Sequence, residues 1–305
     1  MEKQPLSIGG QAVMEGVMIK SPRFLTVSVR KKNSRIVSRK QRLKPHTKWK
    51  KLPLVRGMVN LWEMMVLGTQ ALMWSANQNA EEEEKLTKKE LAFTLAFSFL
   101  LVIVLFVALP YALTLWLGVY EETRPVVFNL VDGLIKIALF LLYLWAISFS
   151  KDVRRLFQYH GAEHKSIYCY EAGKKLNVAN VKPFSTLHPR CGTSFILLVF
   201  ILSVLVFAFW PLLIMQFFPH FVNVAFWERR LILFGVRIAS IPLVAGLAYE
   251  FLKWSARHRE NVLVNLLVQP GLWLQKITTK EPDASQMEVA IHSVKQALTL
   301  EKRGH

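Results

Sequence analysis

Cysteine is scarce in this chain. Only Cys169 and Cys191 occur in 305 residues, which excludes a disulfide-rich scaffold. Both fall on the side of the membrane that we predict below to be the cytoplasm, where thiols stay reduced and a metal thiolate remains an option. The chain also lacks an internal repeat and a glycine-rich phosphate loop, which argues against a solenoid and against a P-loop nucleotidase.

Acidic residues are also few, 21 against 39 lysines and arginines, for a formal net charge of +18. Apolar residues make up 52% of the chain and form long runs, each near the ~20 residues that cross ~30 Å of hydrocarbon. These runs are Leu91–Leu117, Val126–Phe149, Ser194–Phe218 and Leu231–Leu252. The predicted fold class is a mainly α membrane protein with four transmembrane helices, a cytoplasmic metal-site domain and a small N-terminal β-hairpin region.

The basic residues predict the orientation. Lys and Arg number 18 against 8 acids before the first run, 8 against 3 over 150–193, and 8 against 5 from 253 onward. The positive-inside rule then places both termini and the 150–193 loop in the cytoplasm. No signal peptide is expected, because no short apolar stretch follows the start. The predicted regions are a basic β-rich region (1–52), an interfacial helix (53–90), two spans (91–149), a His/Glu/Cys loop (150–193), two more spans (194–252) and a tail with a helix (253–305).

The N-terminal region is strongly basic. Arg30 to Lys51 holds eleven lysines or arginines and no acid. β-Branched and polar residues alternate over Phe24–Leu43, which predicts a β-hairpin. We favour anionic lipid headgroups as the partner of this region, at ~1 kcal/mol per charge near the surface. RNA, a ribosome or translocation machinery is the alternative, since basic ribbons meet phosphates electrostatically.

Two segments flanking the spans have helical signals. Pro53–Gln78 is apolar but carries Arg56, Asn60 and Glu63 at helical spacing, which predicts an amphipathic helix at the interface or a re-entrant helix packed on the bundle. The acidic run Glu81–Lys85 predicts a solvated helix start. In the tail, Pro270-Gly271 predicts a turn, and Asp283 or Ser285 predicts the N-cap of a helix through Leu298.

Three charged residues lie inside the apolar runs. Asp132 and Arg237 each lie ~10 Å deep at ~1.5 Å per residue. Unpaired charges are costly there, so we predict that these two pair across the bundle and that Lys136 shares Asp132. A proton or ion path is the alternative, and it would make the protein a transporter. A bundle of four spans is small for a transporter, so the chain would then form a homo-oligomer.

The stretch YHGAEHKSIYCYEAG (159–173) carries the strongest chemical signal. Lys151–Ala172 has few helix breakers and Gly173 suits a C-cap, which predicts one helix. His160 and His164 then share a face, with Glu163 beside them. H-x-x-E-H is the spacing in which two histidines hold zinc and the glutamate activates water. Cys169 points away from His160 and is left out of the site.

Further candidate ligands are predicted at the same membrane face. LHPRCGTSF offers His188 and Cys191 at an H-x-x-C spacing, and Glu250 ends the fourth run. If His160, His164, His188 and Cys191 all bind, zinc is four-coordinate and structural. If His160, His164 and Glu250 bind, a position is left for water and Glu163 becomes the general base. A hydrogen-bonded cluster without metal is the third interpretation.

Four motifs together resemble the YqhQ-like family of bacterial membrane proteins, whose domain has no established function. They are GGQAVMEGVMIKSP, YHGAEHKSI, HPRCGTSF and PGLWLQKITTKEPD, and the resemblance spans nearly the whole chain. It implies a bacterial inner-membrane location and a metal-dependent enzyme, and it supplies no substrate. It also draws attention to Glu15, which is either a further metal- or substrate-facing carboxylate or, as we favour, a hairpin residue that is exposed or paired with a nearby arginine.

Our leading hypothesis is a zinc-dependent membrane hydrolase of peptide or amide bonds. His160 and His164 are the predicted ligands, Glu250 the favoured third, and Glu163 the base that deprotonates water. The alternative is a non-enzymatic membrane protein that docks a ribosome or translocation partner and carries a structural metal.

Overall fold

A computed structural model of the chain describes residues 6–44, 52–79, 88–121, 123–255, 258 and 260–303. The N-terminal part forms one antiparallel sheet whose strands pair in sequence order: β1 (Gly9–Val13), β2 (Gly16–Lys20), β3 (Phe24–Arg30) and β4 (Ile36–Arg42). The predicted β-hairpin over Phe24–Leu43 is confirmed as β3 and β4, with Val29 opposite Val37. Residues 45–51 of the basic segment and the acidic run Glu81–Lys85 lie outside the described residues.

Helices make up most of the rest. They are α1 (Val55–Asn79), α2 (Lys88–Ile103), α3 (Leu109–Trp116), α4 (Pro125–Ile147), α5 (Lys151–Glu171), α6 (Val178–Val181), α7 (Gly192–Phe217), α8 (Phe226–Ser255), α9 (Val262–Thr278) and α10 (Ala284–Arg303). A π-helical turn, Val104–Ala108, joins α2 to α3 just before Pro110, whose missing N–H interrupts the regular ladder. A short 3₁₀ segment, Pro219–Asn223, links α7 to α8.

Within the described ranges, four helices are long and apolar enough to cross a membrane. They cover Ala92–Trp116, Pro125–Ile147, Gly192–Phe217 and Glu228–Ser255. Each agrees with one of the predicted runs to within a few residues. The outward side chains of these helices are large and apolar, as lipid contact requires, for example Phe99, Leu205 and Leu243. The protein is a membrane protein of mainly helical fold with a small N-terminal sheet.

The charges inside the spans pair differently from the prediction. Arg237 Nη2 donates to Glu121 Oε1 at 2.7 Å and to Asn129 Oδ1 at 2.8 Å. Asp132 instead accepts from Lys136 Nζ, one turn along α4, at 2.5 Å. The predicted Asp132–Arg237 pair was therefore wrong and the predicted sharing of Asp132 by Lys136 is confirmed. The long arginine side chain reaches toward the end of the bundle, where Glu121 lies.

The predicted amphipathic helix forms as α1, and its polar stripe faces protein. Arg56 pairs with Glu250 of α8, Asn60 Nδ2 donates to Tyr249 Oη at 3.0 Å, and Glu63 pairs with Lys20 Nζ at 2.8 Å. The stripe thus holds α1 between α8 and the sheet, which accounts for polar residues in an apolar segment.

The sheet and three helices share a core outside the spans. Strand residues alternate between faces: Val17 and Ile19 of β2 pack against α5 and α10, and Met18 packs toward α1. The α10 N-terminus is confirmed at Asp283, whose Oδ1 accepts the Gln286 amide at 2.9 Å while the Gln286 side chain returns to the Asp283 amide. The buried residues of α10 include Met287, Val289, Ile291 and Val294.

The turn predicted at Pro270-Gly271 was wrong, because both residues lie inside α9. A side chain at Gly271 would lie 2.7 Å from Ser194 Cβ, so this glycine allows α9 to approach the first turn of α7. Tertiary packing overrides the turn propensity of the pair. The tail therefore contains a second helix that the sequence did not predict.

Candidate metal centre

Helix α5 places the two histidines of the H-x-x-E-H pattern side by side. The predicted helix over Lys151–Ala172 forms as Lys151–Glu171 and ends at Gly173, whose φ is +67°. The Lys174 amide donates to the Cys169 carbonyl across this end at 3.1 Å, the hydrogen bond of a left-handed C-cap. The ring centroids of His160 and His164 lie 4.4 Å apart.

Cys191 completes a group of three donor atoms. Among the described residues, one ligand atom each of His160, His164 and Cys191 lie within 4.8 Å of one another. His160 Nε2 is 3.2 Å from Cys191 Sγ. The sequence predicted these three residues in one of its two ligand sets, and the fold brings them together from α5 and from the loop before α7.

The tautomers of both histidines suit metal binding. His160 Nδ1 lies 2.9 Å from the Thr278 carbonyl oxygen, and His164 Nδ1 hydrogen bonds to the Thr186 carbonyl oxygen. A carbonyl only accepts, so Nδ1 carries the proton in each ring and the Nε2 lone pair is available. Burial lowers the pKa of His164, which keeps that ring neutral, as a ligand must be.

Cys191 is held at the start of α7. Its Sγ accepts the Thr193 amide at 3.4 Å and lies 3.1 Å from Thr193 Oγ1. The contacts with Thr193 fix the position of the sulfur at the first turn of α7. Gln275 of α9 fixes the preceding loop, since it accepts the His188 amide at 2.7 Å and donates to the His188 carbonyl at 2.8 Å.

Glu163 is buried next to this group. Its Oε2 lies 3.6 Å from His164 Nε2, and the side chain is 5% exposed. Burial raises the pKa of this carboxyl group, against the opposing effects of His160, His188 and a hydrogen bond from the Gly10 backbone. A side chain at Gly10 would lie 2.7 Å from Glu163 Oε1, so only glycine lets β1 cover the carboxylate this closely.

His188 lies beside the three donors in the opposite tautomer. Its Nδ1 accepts the Arg190 amide at 3.3 Å, and its Nε2 is 3.5 Å from Glu171 Oε2. Its ring packs on Tyr168 with 4.4 Å between centroids. The ring is thus turned toward Glu171, and the four-ligand set predicted with His188 is not assembled in this arrangement.

Glu250 is placed elsewhere. Its Oε1 accepts from Arg56 Nε at 2.6 Å, and its Oε2 accepts from Arg56 Nη2. The bidentate pair joins α8 to α1, and Glu250 is not in the group of potential ligands found among the described residues. The geometry therefore favours Cys191 over Glu250 as the third donor beside the two histidines.

The GGQAVMEG motif covers the site with a hairpin. Glu15, in the turn between β1 and β2 at φ +54°, forms an ion pair with Arg155 and accepts from Tyr159 Oη at 3.2 Å. The favoured prediction that Glu15 pairs with a nearby arginine is confirmed. Neither Gly9 nor Gly10 has a positive φ, so the role of Gly10 is close approach and not a left-handed turn.

Sequence reasoning missed the residues that orient the ligands. Thr186, Gln275 and Thr278 act through backbone carbonyls or a buried amide, and such contacts leave no spacing signal. Gly161 was also missed: a Cβ there would lie 2.2 Å from the Lys280 carbonyl oxygen, so glycine lets the loop after α9 cross α5. A glycine inside the H-x-x-E-H pattern was the available signal.

The donor set fits zinc. Two imidazole nitrogens and one thiolate are ligands that zinc accepts, and three protein ligands leave a fourth position open, as in catalytic sites. Backbone carbonyls behind the histidines provide the outer-shell support that zinc sites use. The fold and this donor set define the class as a multi-span membrane protein with a candidate metal centre beside the spans.

Comparison with known proteins agrees with the motif resemblance. The family model described as Protein of unknown function (DUF1385) matches residues 52–300. The chain is also 35% identical over 322 residues to the uncharacterized protein YqhQ of Bacillus subtilis (strain 168), covering 98% of this chain and 94% of the relative. The chain belongs to this family. No solved structure matches it.

Proposed function

We propose that the protein is a zinc-dependent membrane hydrolase of peptide or amide bonds, with its site at the cytoplasmic face of a bacterial inner membrane. The observation that supports this most directly is the buried Glu163 beside three convergent donors, His160, His164 and Cys191. A structural zinc site is closed by four protein ligands and needs no adjacent carboxylate.

The residues take distinct roles in this proposal. His160, His164 and Cys191 would hold a zinc ion, which would supply Lewis-acid activation of water and of the scissile carbonyl. Glu163 accepts the proton of the attacking water and returns it to the leaving nitrogen.

Charge and topology support this location. Four candidate spans, an even number, would leave both termini on one side, and the basic excess over 150–193 favours the cytoplasmic side. The β4 edge strand exposes Arg39, Lys40 and Arg42, which suit anionic lipid headgroups. A ribosome or translocation partner would meet the same strand, and its binding would weaken steeply with salt in co-sedimentation.

The decisive experiment separates metal binding from turnover. Full-length protein in detergent or proteoliposomes is assayed for zinc content and for hydrolysis of a quenched fluorescent peptide library. Glu163→Gln keeps the shape of the side chain and removes the base, so we expect zinc content to be unchanged and turnover to fall by about 10²–10⁴-fold. Glu288→Gln on the outer side of α10 is the matched control and should leave both unchanged.

Two results would contradict the proposal. Wild-type turnover by Glu163→Gln would remove the general base from the mechanism. Stoichiometric zinc with no hydrolysis of any peptide or amide in the library would favour the structural metal of the docking hypothesis.

A further inference from the structure

One side of α9 is apolar and exposed. Its residues, between 58% and 79% exposed, are Val262, Leu263, Leu266, Leu267 and Trp273. Large apolar patches of this kind on a folded chain mark contact with lipid or protein. The side chains fall within one arc of the helix at about 100° per residue, so they form a continuous surface.

The other sides of α9 differ in character. The inner side packs on the protein through Val264, Gly271, Leu274, Gln275 and Thr278, all buried. A third strip is polar and carries Asn265, Gln269 and Lys276. A helix with an apolar outer side, a protein-facing inner side and a narrow polar strip has the pattern of a helix lying in the plane of a membrane interface.

Helix α9 packs against the first half of a candidate span. Leu267 and Val268 line the same narrow cleft as Leu198 and Ile201 of α7 and Phe251 of α8. Ile201 lies nine residues into α7, which begins at Gly192, or ~14 Å along that candidate span. The exposed surface of α9 is therefore continuous with the lipid-facing surface of the spans.

We infer that α9 is an interfacial membrane helix whose partner is the bilayer surface, and that its position holds the candidate metal centre. The inner side of the same helix carries Gln275, which fixes the loop leading to Cys191, and Thr278, whose carbonyl receives His160 Nδ1. Displacement of α9 from the bilayer would shift two of the three ligands. This second part of the inference rests on the proposed metal site, and the first part does not.

Spin labels test the membrane contact without reference to metal or activity. Single substitutions Leu263→Cys, Leu266→Cys and Leu267→Cys are labelled with a nitroxide in full-length protein in anionic liposomes. Cys169 and Cys191 are both buried, and unsubstituted protein serves to show that they take up no label. Leu205→Cys in the middle of α7 is the lipid reference, and Lys295→Cys on the exposed side of α10 is the water reference.

We expect the α9 labels to favour oxygen over a water-soluble nickel chelate, as the Leu205 label does, at a depth of about 5–10 Å. Accessibility like that of the Lys295 label would overturn the inference. Low accessibility to both reagents together with spin–spin broadening would also overturn it, because a second copy of the chain would then cover α9.

Zinc affinity tests whether contact of α9 with the bilayer supports the candidate metal centre. The triple variant Val262→Gln/Leu263→Gln/Leu266→Gln changes positions that are 65–79% exposed and do not line the cleft, so the packed side of α9 is untouched. We expect its zinc affinity in liposomes to fall about tenfold, as when outer-shell support is lost, while Lys295→Gln leaves the affinity unchanged. Unchanged zinc affinity in the triple variant would overturn the coupling to the metal centre.

Discussion

Polar residues inside the candidate spans form ion pairs, whereas a group of polar residues beside the spans brings metal-ligand atoms close together. Inside the spans each charge finds a neighbour close by, Asp132 with Lys136 and Arg237 with Glu121. Beside the spans, His160, His164 and Cys191 converge from two distant segments and present lone pairs to a common point. Paired charges fix packing, whereas convergent donors without a mutual salt bridge suit a ligand. This difference supports the proposed metal centre in the second region and a packing role for the paired charges in the first.

Removal of one of the proposed metal ligands should have the largest effect on zinc binding. His164→Ala deletes one of three ligands and should abolish zinc retention at micromolar protein, because two protein ligands rarely hold the ion. Zinc content after gel filtration is the measurement. Glu250→Gln, which alters the Arg56 pair in a span, should retain zinc; loss of zinc there would return Glu250 to the ligand set.

Removal of a charge inside a span should lower the stability of the fold and leave zinc affinity unchanged. Arg237→Met removes the cation beside Glu121 and Asn129, and a buried pair that loses one partner costs about 3 kcal/mol. We expect the midpoint of unfolding in a denaturing detergent to fall while zinc affinity is unchanged. Reduced zinc affinity in this variant would mean that the two regions are coupled and the distinction does not hold.

Substitution of a residue that supports a proposed ligand, without binding metal itself, should weaken zinc affinity. Gln275→Leu keeps the approximate volume but removes the hydrogen bonds to both backbone groups of His188. Zinc affinity should fall about 10–100-fold, measured by competition with a chelator. Gln269→Leu, on the polar strip of the same helix, is the control and should bind zinc as the wild type does.

A side chain added where a loop crosses α5 should lower the stability of the fold. Gly161→Ala would bring Cβ within 2.2 Å of the Lys280 carbonyl oxygen, and overpacking of this kind costs about 1–3 kcal/mol. The thermal unfolding temperature should fall. Gly235→Ala is the matched control, because no atom lies within 4 Å of a Cβ there.

The smallest effect concerns acid stability of α10. Burial alone would raise the pKa of Glu301, but hydrogen bonds from Arg23 and Ser21 outweigh it, and the net pKa is lowered. A carboxyl group with a lowered pKa stabilises the fold above its unfolded pKa of ~4.3, and this contribution is lost as pH falls through the folded value. Glu301→Gln should therefore flatten the fall in unfolding temperature below about pH 4.5. An unchanged profile would contradict this assignment.

Local patterns predicted the parts of the fold that local physics determines. The spans follow from apolar length, the Phe24–Leu43 hairpin from alternation, and the α5 helix from its few breakers and Gly173. The N-cap of α10 was narrowed to Asp283 or Ser285, because capping depends on residues close together in the sequence.

The ligand set could not be read in the same way. The predicted topology placed both Cys191 and Glu250 at one membrane face, and our sequence analysis favoured Glu250 as the third ligand. The deciding contact comes from Arg56, which lies almost two hundred residues before Glu250. Arg56 forms an ion pair with the Glu250 carboxylate that joins α1 to α8. For the same reason Pro270-Gly271 looked like a turn: its partner Ser194 is distant in sequence.

The position of Cys191 has a mechanical consequence. The sulfur caps a helix of 26 residues, about 39 Å long, that is a candidate membrane span, whereas both histidines belong to α5, which is not one of the candidate spans. A tilt of α7 by about 5° around its middle would swing the sulfur by ~1.7 Å, far beyond the ~0.2 Å tolerance of a metal–ligand distance. A helix that is longer than the bilayer is thick can be accommodated by tilting, so a change in bilayer thickness would alter the distance between Cys191 and the two histidines.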